Sequence, residues 1–162
     1  AISKLAVEYI TNLWSARLNI IVTRPFNYTG LGQTDNFLVP KIVSHFRQKK
    51  KSINLGNIDI TRDVSDVRTV ATIYRLLIEK KPAPGVYNIC SGAPVSLKQI
   101  IDTASSVFGH QLEIISSQVL RRSNDIVYQC GDHTKLRNAI GDVEMYSLED
   151  TLNWFDQCKE LL

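Results

Sequence analysis

The chain has 162 residues, 44% hydrophobic and 22% charged, with a formal net charge of +3. That is one domain's worth of chain with an ordinary globular balance, long enough to bury a core. The mild positive charge permits an anionic small-molecule ligand but gives no argument for nucleic acid, and no apolar run reaches membrane-spanning length.

Residues 2–17 open within a helical pattern that has no start signal. Apolar residues at Ile2, Leu5, Ala6, Tyr9, Ile10, Leu13 and Trp14 fall on one face, and Val7 adds apolar surface off that stripe, so the helix is expected to be covered on more than one side. Residues 19–26, N-I-I-V-T-R-P-F, form a β-branched run that suits a strand buried on both faces. A polar loop with two glycines follows over 27–35. Residues 37–50 predict a helix with Phe37, Ile42, Val43 and Phe46 as core contacts.

The stretch S-I-N-L-G-N-I-D-I-T-R-D predicts short strands and a turn at Gly56-Asn57. Asp66 is the expected cap of a helix running to about Lys80, closed by Pro82, Pro84 and Gly85. Residues 86–90 predict a short buried strand and 91–94 a turn. Ser96 caps the next helix, which Gly109 ends, and 112–116 predict another strand. Thr134 begins a short helix ended by Gly141. Ser147, three residues before Asp150, starts the last helix with a capping-box pattern. Helices alternate with short strands and no repeat or low-complexity tract interrupts them, so the class is α/β.

Cys90, Cys130 and Cys158 are odd in number and lack metal-ligand spacing. They read as thiols in a reducing compartment, which makes the cytoplasm the expected location, and no metal site is expected. His45, His110 and His133 do not cluster by spacing. The basic run from Arg47 to Lys51 reads as a solvated helix end facing the negative pole of the helix dipole. Nucleic-acid binding through that run is a poor reading, because no aromatic residues are interleaved with the charges.

Seven separated strings occur in a fixed order: R-P-F-N-Y-T-G-L-G-Q (24–33), N-F-L-V-P-K (36–41), L-G-N-I-D-I-T-R-D (55–63), D-V-R-T-V-A (66–71), V-Y-N-I-C-S-G (86–92), R-S-N-D-I (122–126) and G-D-H-T-K-L (131–136). Together they resemble the extended short-chain dehydrogenase/reductase family, the NAD-dependent epimerases and dehydratases. Within it they look most like the GDP-sugar enzymes, GDP-6-deoxy-4-keto-mannose reductases first and GDP-mannose 4,6-dehydratases second. The resemblance runs to about Phe155. It implies the C-terminal part of a Rossmann-type fold: the last sheet strands plus a small α/β substrate-binding domain. Residues 1–35 and 64–92 would be the remainder of the cofactor-binding domain, and 36–63 and 93–162 mainly the nucleotide-sugar domain. The family's Gly-rich dinucleotide fingerprint is absent from these 162 residues. The resemblance therefore implies a fragment, inactive alone, of an enzyme using NADP or NAD. Its partners would be a nucleotide-diphosphate sugar, GDP-linked by resemblance, and a second copy of the parent protein as a homodimer; no nucleic acid and no membrane are expected.

The site residues follow from the same resemblance. Lys4 matches the Lys of the family's Tyr-x-x-x-Lys pair, whose Tyr would stand one residue before Ala1. The Lys charge favours the phenolate of a Tyr whose ordinary pKa is about 10, and the Lys also hydrogen-bonds the nicotinamide ribose in the family. Tyr28 stands near the cofactor, where the dehydratases tend to carry His. Arg62 carries a guanidinium fork that matches a diphosphate, with Asp63 or Asp59 as its alternative partner. Arg122 and Asp125 match an Arg-x-x-acid string near the nucleoside, though Ser123 replaces the usual Pro and Arg121 blurs the register. Lys41 matches a Lys facing the phosphates near a helix N-terminus. Asn27, Asn36 and Asn57 offer amides that read hydroxyl or phosphate oxygens, or simply make turns. Thr69 stands where many relatives carry an acid and is expected to be a surface change. The leading expectation is an NAD(P)-dependent enzyme reducing a GDP-4-keto-6-deoxy-sugar. A dehydratase or epimerase, or a non-catalytic nucleotide-sugar-binding or regulatory protein on the same scaffold, are the alternatives.

Overall fold

A computed structural model of the chain describes residues 2–120 and 125–158. The helices are α1 (Ile2–Trp14), α2 (Leu38–Arg47), α3 (Val67–Lys80), α4 (Leu97–Phe108), α5 (Thr134–Ile140) and α6 (Leu148–Gln157). The strands are β1 (Ile21–Pro25), β2 (Asn27–Thr29), β3 (Ser52–Leu55), β4 (Thr61–Arg62), β5 (Val64–Asp66), β6 (Gly85–Ile89), β7 (Val95–Ser96) and β8 (Glu113–Ser116). Three pairs are parallel: β1 with β6, β2 with β5, and β3 with β8. Among the described strands, β4 with β7 is the antiparallel pair. The mixed α/β class expected from the sequence is what the chain adopts. No helix among the described residues is long and apolar enough to cross a membrane.

Two apolar clusters hold these elements. The larger joins Ile42, Val43 and Phe46 of α2 to Ile53 and Leu55 of β3, the inner face of α4, and Leu152 and Phe155 of α6. The smaller joins Val70, Ile73 and Leu77 of α3 to Tyr87 and Ile89 of β6 and to Leu136 and Ile140 of α5. Local signals fix the helix ends. Ser96 with Gln99 and Ser147 with Asp150 form the two capping boxes. Gly109 closes α4 at φ 60°.

Buried carboxylates join the segments. Asp63, fully buried between β4 and β5, accepts from Ser91 N and Oγ at 2.7 Å each, Gly92 N at 2.9 Å and Gly131 N at 3.0 Å. Asp66 caps α3 through Arg68 N at 2.7 Å, takes the Arg68 guanidinium at 2.9 and 2.7 Å, and accepts from Thr151 of α6 at 2.8 Å. The Arg68 guanidinium lies between the rings of Tyr146, at 3.8 Å, and Trp154, at 4.1 Å. Gly30 passes so close to this cluster that a Cβ there would stand 2.3 Å from Val67 Cγ1.

Five expectations are corrected. Every described residue of α1 lies outside the core, and Ile2 and Leu13 are 85% and 79% exposed. No element among the described residues covers the α1 stripe, which is joined to β1 by an exposed Arg24–Glu8 pair. β1 is half-buried to exposed rather than buried on both faces, because among the described strands it pairs with β6 alone. Phe37 is exposed: α2 begins one residue later, which leaves Phe37 as an extended N-cap facing outward. Arg47 is not merely solvated, since it donates to the carbonyls of Phe155 and Cys158 at the end of α6. Thr69 is buried, not a surface change. Its hydroxyl donates to Glu144 O and accepts from Tyr146 N, both at 3.3 Å, which suits a hydroxyl better than an acid.

Asp63→Asn sets an NH2 group against backbone N–H donors in a buried site and is expected to cost roughly 2–4 kcal/mol in urea unfolding. Asp59→Asn, on the exposed turn nearby, should stay within about 0.5 kcal/mol.

Candidate nucleotide-sugar site

The candidate site is built along β4. Residues 127–129 run beside it: Thr61 N donates to Val127 O at 2.8 Å and Gln129 N to Thr61 O at 3.0 Å, with a parallel bridge from Thr61 to Tyr128. This strip carries the 125–129 segment up to Arg62. Arg62 Nη2 donates to Asp125 Oδ1 at 2.9 Å, and Nη1 donates to Thr61 O at 3.1 Å and Val127 O at 3.4 Å. The two side chains are 16% and 23% exposed. Of the two alternative partners weighed from the sequence, Asp63 is consumed by its four donors and Asp59 lies in a turn. The partner is Asp125, itself a candidate from a distant motif. The pair is thus a recessed guanidinium beside a carboxylate, complementary to a phosphate and to a vicinal diol respectively.

Asn27 joins the same network. Its Nδ2 donates to Gln129 Oε1 at 3.2 Å and to the main-chain carbonyl of Asp63 at 3.4 Å. Tyr28 is the next residue of β2; it is 45% exposed, and side chains alternate along a strand, so it faces away from Asn27. Asn57 makes a turn, its Oδ1 accepting Asp59 N at 3.1 Å. Lys41 donates to Asn54 O at 2.9 Å, tying α2 to β3. Asn36 is exposed in the turn before α2, and Lys4 is exposed in the first turn of α1. Arg122 lies outside the described residues. Hydrogen bonds thus join Asn27 to Gln129 and Arg62 to Asp125 on the same 125–129 segment, while others tie Lys41 to Asn54 and Asn57 to Asp59. Among the described residues no group of three His, Cys, Asp or Glu is placed to hold a metal ion.

The floor of this region is made by the loop after β6, residues 90–94, and by residues 130–133 before α5, which meet at Asp63. Gly131 must lack a side chain, since a Cβ would meet Cys90 Sγ at 2.4 Å and Phe26 Cζ at 3.0 Å. Asp132 Oδ1 accepts Thr134 N at 2.8 Å, and the Thr134 hydroxyl and amide hold its carboxyl below the usual carboxylate range. Burial, then the nearby Asp63 charge, pushes the Cys90 thiol up to about 12.

The sequence profile of the GDP-mannose 4,6 dehydratase family matches residues 1–154. The chain belongs to this family. It is 41% identical over 142 residues to GDP-6-deoxy-D-talose 4-dehydrogenase of Aggregatibacter actinomycetemcomitans, covering 88% of this chain and 48% of that protein. It is 30% identical over 148 residues to GDP-6-deoxy-D-mannose reductase of Pseudomonas aeruginosa, covering 87% and 49%. The structure of RMD from Pseudomonas aeruginosa complexed with NADPH superposes with a TM-score of 0.85 at 28% identity, over 96% of this chain and 56% of that one. The chain spans about half the length of the curated relatives it matches. The GDP-sugar resemblance and the fold expected from it are therefore those of the family.

Gln129 went unnoticed in the sequence because a single Gln in an apolar stretch carries no motif; only its pairing with Asn27 marks it. In the sequence Asp63 stands out only as a partner for Arg62. An acid between two short strands gives no sign that donors from residues 91, 92 and 131 converge on it.

With Cys130 and Cys158 replaced by Ser, Cys90 should resist a disulfide reagent at about pH 8, being buried and protonated, and react fully once denatured. Reaction in the native chain would contradict both its burial and its raised pKa.

Proposed function

We propose that this chain is the nucleotide-sugar-gripping half of an NAD(P)-dependent oxidoreductase acting on a GDP-4-keto-6-deoxy-sugar. The observation that carries it is the Arg62–Asp125 pair, 63 residues apart in sequence and joined at 2.9 Å beside Asn27, within a chain matched by the family profile from end to end of these motifs. In this reading Arg62 and Lys41 hold the diphosphate. Asp125, with Arg122, holds the nucleoside, and Asn27 and Asn36 meet the sugar. Asn57 shapes the turn beside them.

Lys4 and Tyr28 would face the cofactor. Both are exposed polar groups able to donate, which suits the hydroxyl oxygens of a ribose, so the residues present fit a nicotinamide nucleotide. When bound, the nicotinamide supplies the hydride acceptor or donor. Lys4 holds a positive charge beside the family's Tyr and lowers the cost of its phenolate. The dinucleotide cradle belongs to the part of the relatives that this chain does not span. We assign residues 1–35 and 64–92 to the cofactor side and 36–63 and 93–162 mainly to the sugar-nucleotide side. The exposed apolar residues of α1 support a homodimer built on that helix, and three free thiols support a cytoplasmic location.

The name of the 41% identical relative favours a second form of the same reading. Talose and mannose differ in configuration at C4, so hydride delivered to the opposite face of one 4-keto sugar would give the other product. Stereochemical analysis of the reduced sugar separates the two.

Calorimetry tests the binding half directly. Heat on adding GDP or GDP-mannose to the chain is expected. Arg62→Ala should weaken GDP about tenfold or more, while Arg62→Lys, which keeps the charge but loses the fork, recovers part of the loss. No heat with either ligand, against a positive control protein of the relatives' full length, overturns the proposal.

A further inference from the structure

Asn27 is an exposed amide whose orientation is set from beneath. The Asp63 carbonyl is a fixed point, because the carboxylate of the same residue is buried and held by four donors. A main-chain carbonyl can only accept. The atom of Asn27 that lies 3.4 Å from it must therefore be Nδ2, since Oδ1 there would set two acceptors against each other. With Nδ2 so fixed, the atom of Gln129 at 3.2 Å must be the acceptor Oε1 rather than Nε2. Gln129 is held in reach because its own N–H pairs with Thr61 O at 3.0 Å. One chain of constraint thus runs from a buried carboxylate, through a carbonyl, to two surface amides.

An Asn side chain has two N–H donors and one acceptor oxygen. Here Asp63 O and Gln129 Oε1 take both donors, so Oδ1 is the group left for a ligand. Building on the function proposed above, we infer that Gln129 is a positioning residue that makes Asn27 an acceptor toward the nucleotide-sugar, selecting a sugar hydroxyl rather than a phosphate or keto oxygen. A hydroxyl donates to such an oxygen. A phosphate or keto oxygen meets it lone pair to lone pair and is repelled. The network therefore divides the ligand: anionic oxygens go to Arg62, and a hydroxyl-bearing carbon of the sugar goes to Asn27.

The test compares Gln129→Met, which removes the acceptor at similar length, with Gln129→Glu, which keeps an acceptor oxygen. Calorimetry is run with GDP-mannose and with GDP alone. Gln129→Met is expected to weaken GDP-mannose about five- to tenfold and leave GDP unchanged, while Gln129→Glu stays within about twofold of the starting chain for both. A ligand-free reading comes from the Asn27 side-chain amide by NMR: slowed exchange of both Nδ2 protons in the starting chain and in Gln129→Glu, and of one in Gln129→Met. Equal losses for GDP and GDP-mannose, an unchanged GDP-mannose affinity in Gln129→Met, or fast exchange of both protons in the starting chain each overturn the inference. GDP binding that persists alongside any of these leaves the nucleotide-sugar function standing. Absence of binding by the starting chain removes that function, and this inference with it.

Discussion

A single buried carboxylate organises this chain. Asp63 sits where β4 gives way to β5, and its two oxygens gather donors from residues 91, 92 and 131. A charge in that position would be prohibitive without such partners, since an ion withdrawn from water is tolerated only when its lone pairs are met. Three of the donors are backbone N–H groups of two loops that would otherwise need water or a cap of their own, and the fourth is the Ser91 hydroxyl. Asp63 thereby converts two loops into a fixed floor. Arg62 and Asn27, whose side chains reach Asp125 and the Asp63 carbonyl, stand on it. The rigidity is supplied by hydrogen bonding rather than by apolar packing, which suits a region that must stay polar at its surface.

A second anchor secures the other side. Asp66, Arg68 and Thr151 form a buried-to-half-buried chain from the start of α3 to α6, with the guanidinium stacked between Tyr146 and Trp154. Thr69 adds its hydroxyl to the same strip. The two apolar clusters share no buried residue, so this polar seam and the Asp63 floor do much of the joining between them. Both anchoring carboxylates, Asp63 and Asp66, occur within one run of the sequence, from Thr61 to Val70. Substitutions there are expected to disturb fold and site together, whereas those along the outer faces of α4 are not.

What could be read from the sequence was what is decided locally. The Ser96 cap, the capping box at Ser147, the Asp66 cap and the Gly109 stop depend on residues only a few positions apart, and the chain adopts them. The α1 stripe, the two-sided burial of β1, Phe37 as a core contact, the solvated Arg47 and the surface Thr69 depend on what packs against each element. Periodicity carries no information about a neighbour. The candidate site divides the same way. Arg62 and Asp125 were legible as residue types in motifs, but their partnership across 63 residues was not. Gln129 was invisible because its role is relational, defined only by what Asn27 must donate to.

The helix that bears Lys4 has a further consequence. It contributes nothing to either apolar cluster, and an exposed ion pair of the Arg24–Glu8 kind adds little in water and less in salt. A 13-residue helix on its own is a marginal structure. The amides of residues 2–14 should therefore belong to the least protected stretch of the molecule, while those around Asp63 belong to the most protected. The placement of the one lysine to which the chemistry is assigned is then not encoded in this chain's own core. In the function proposed above, a surface closing over the exposed Leu5, Tyr9 and Leu13 would supply that placement.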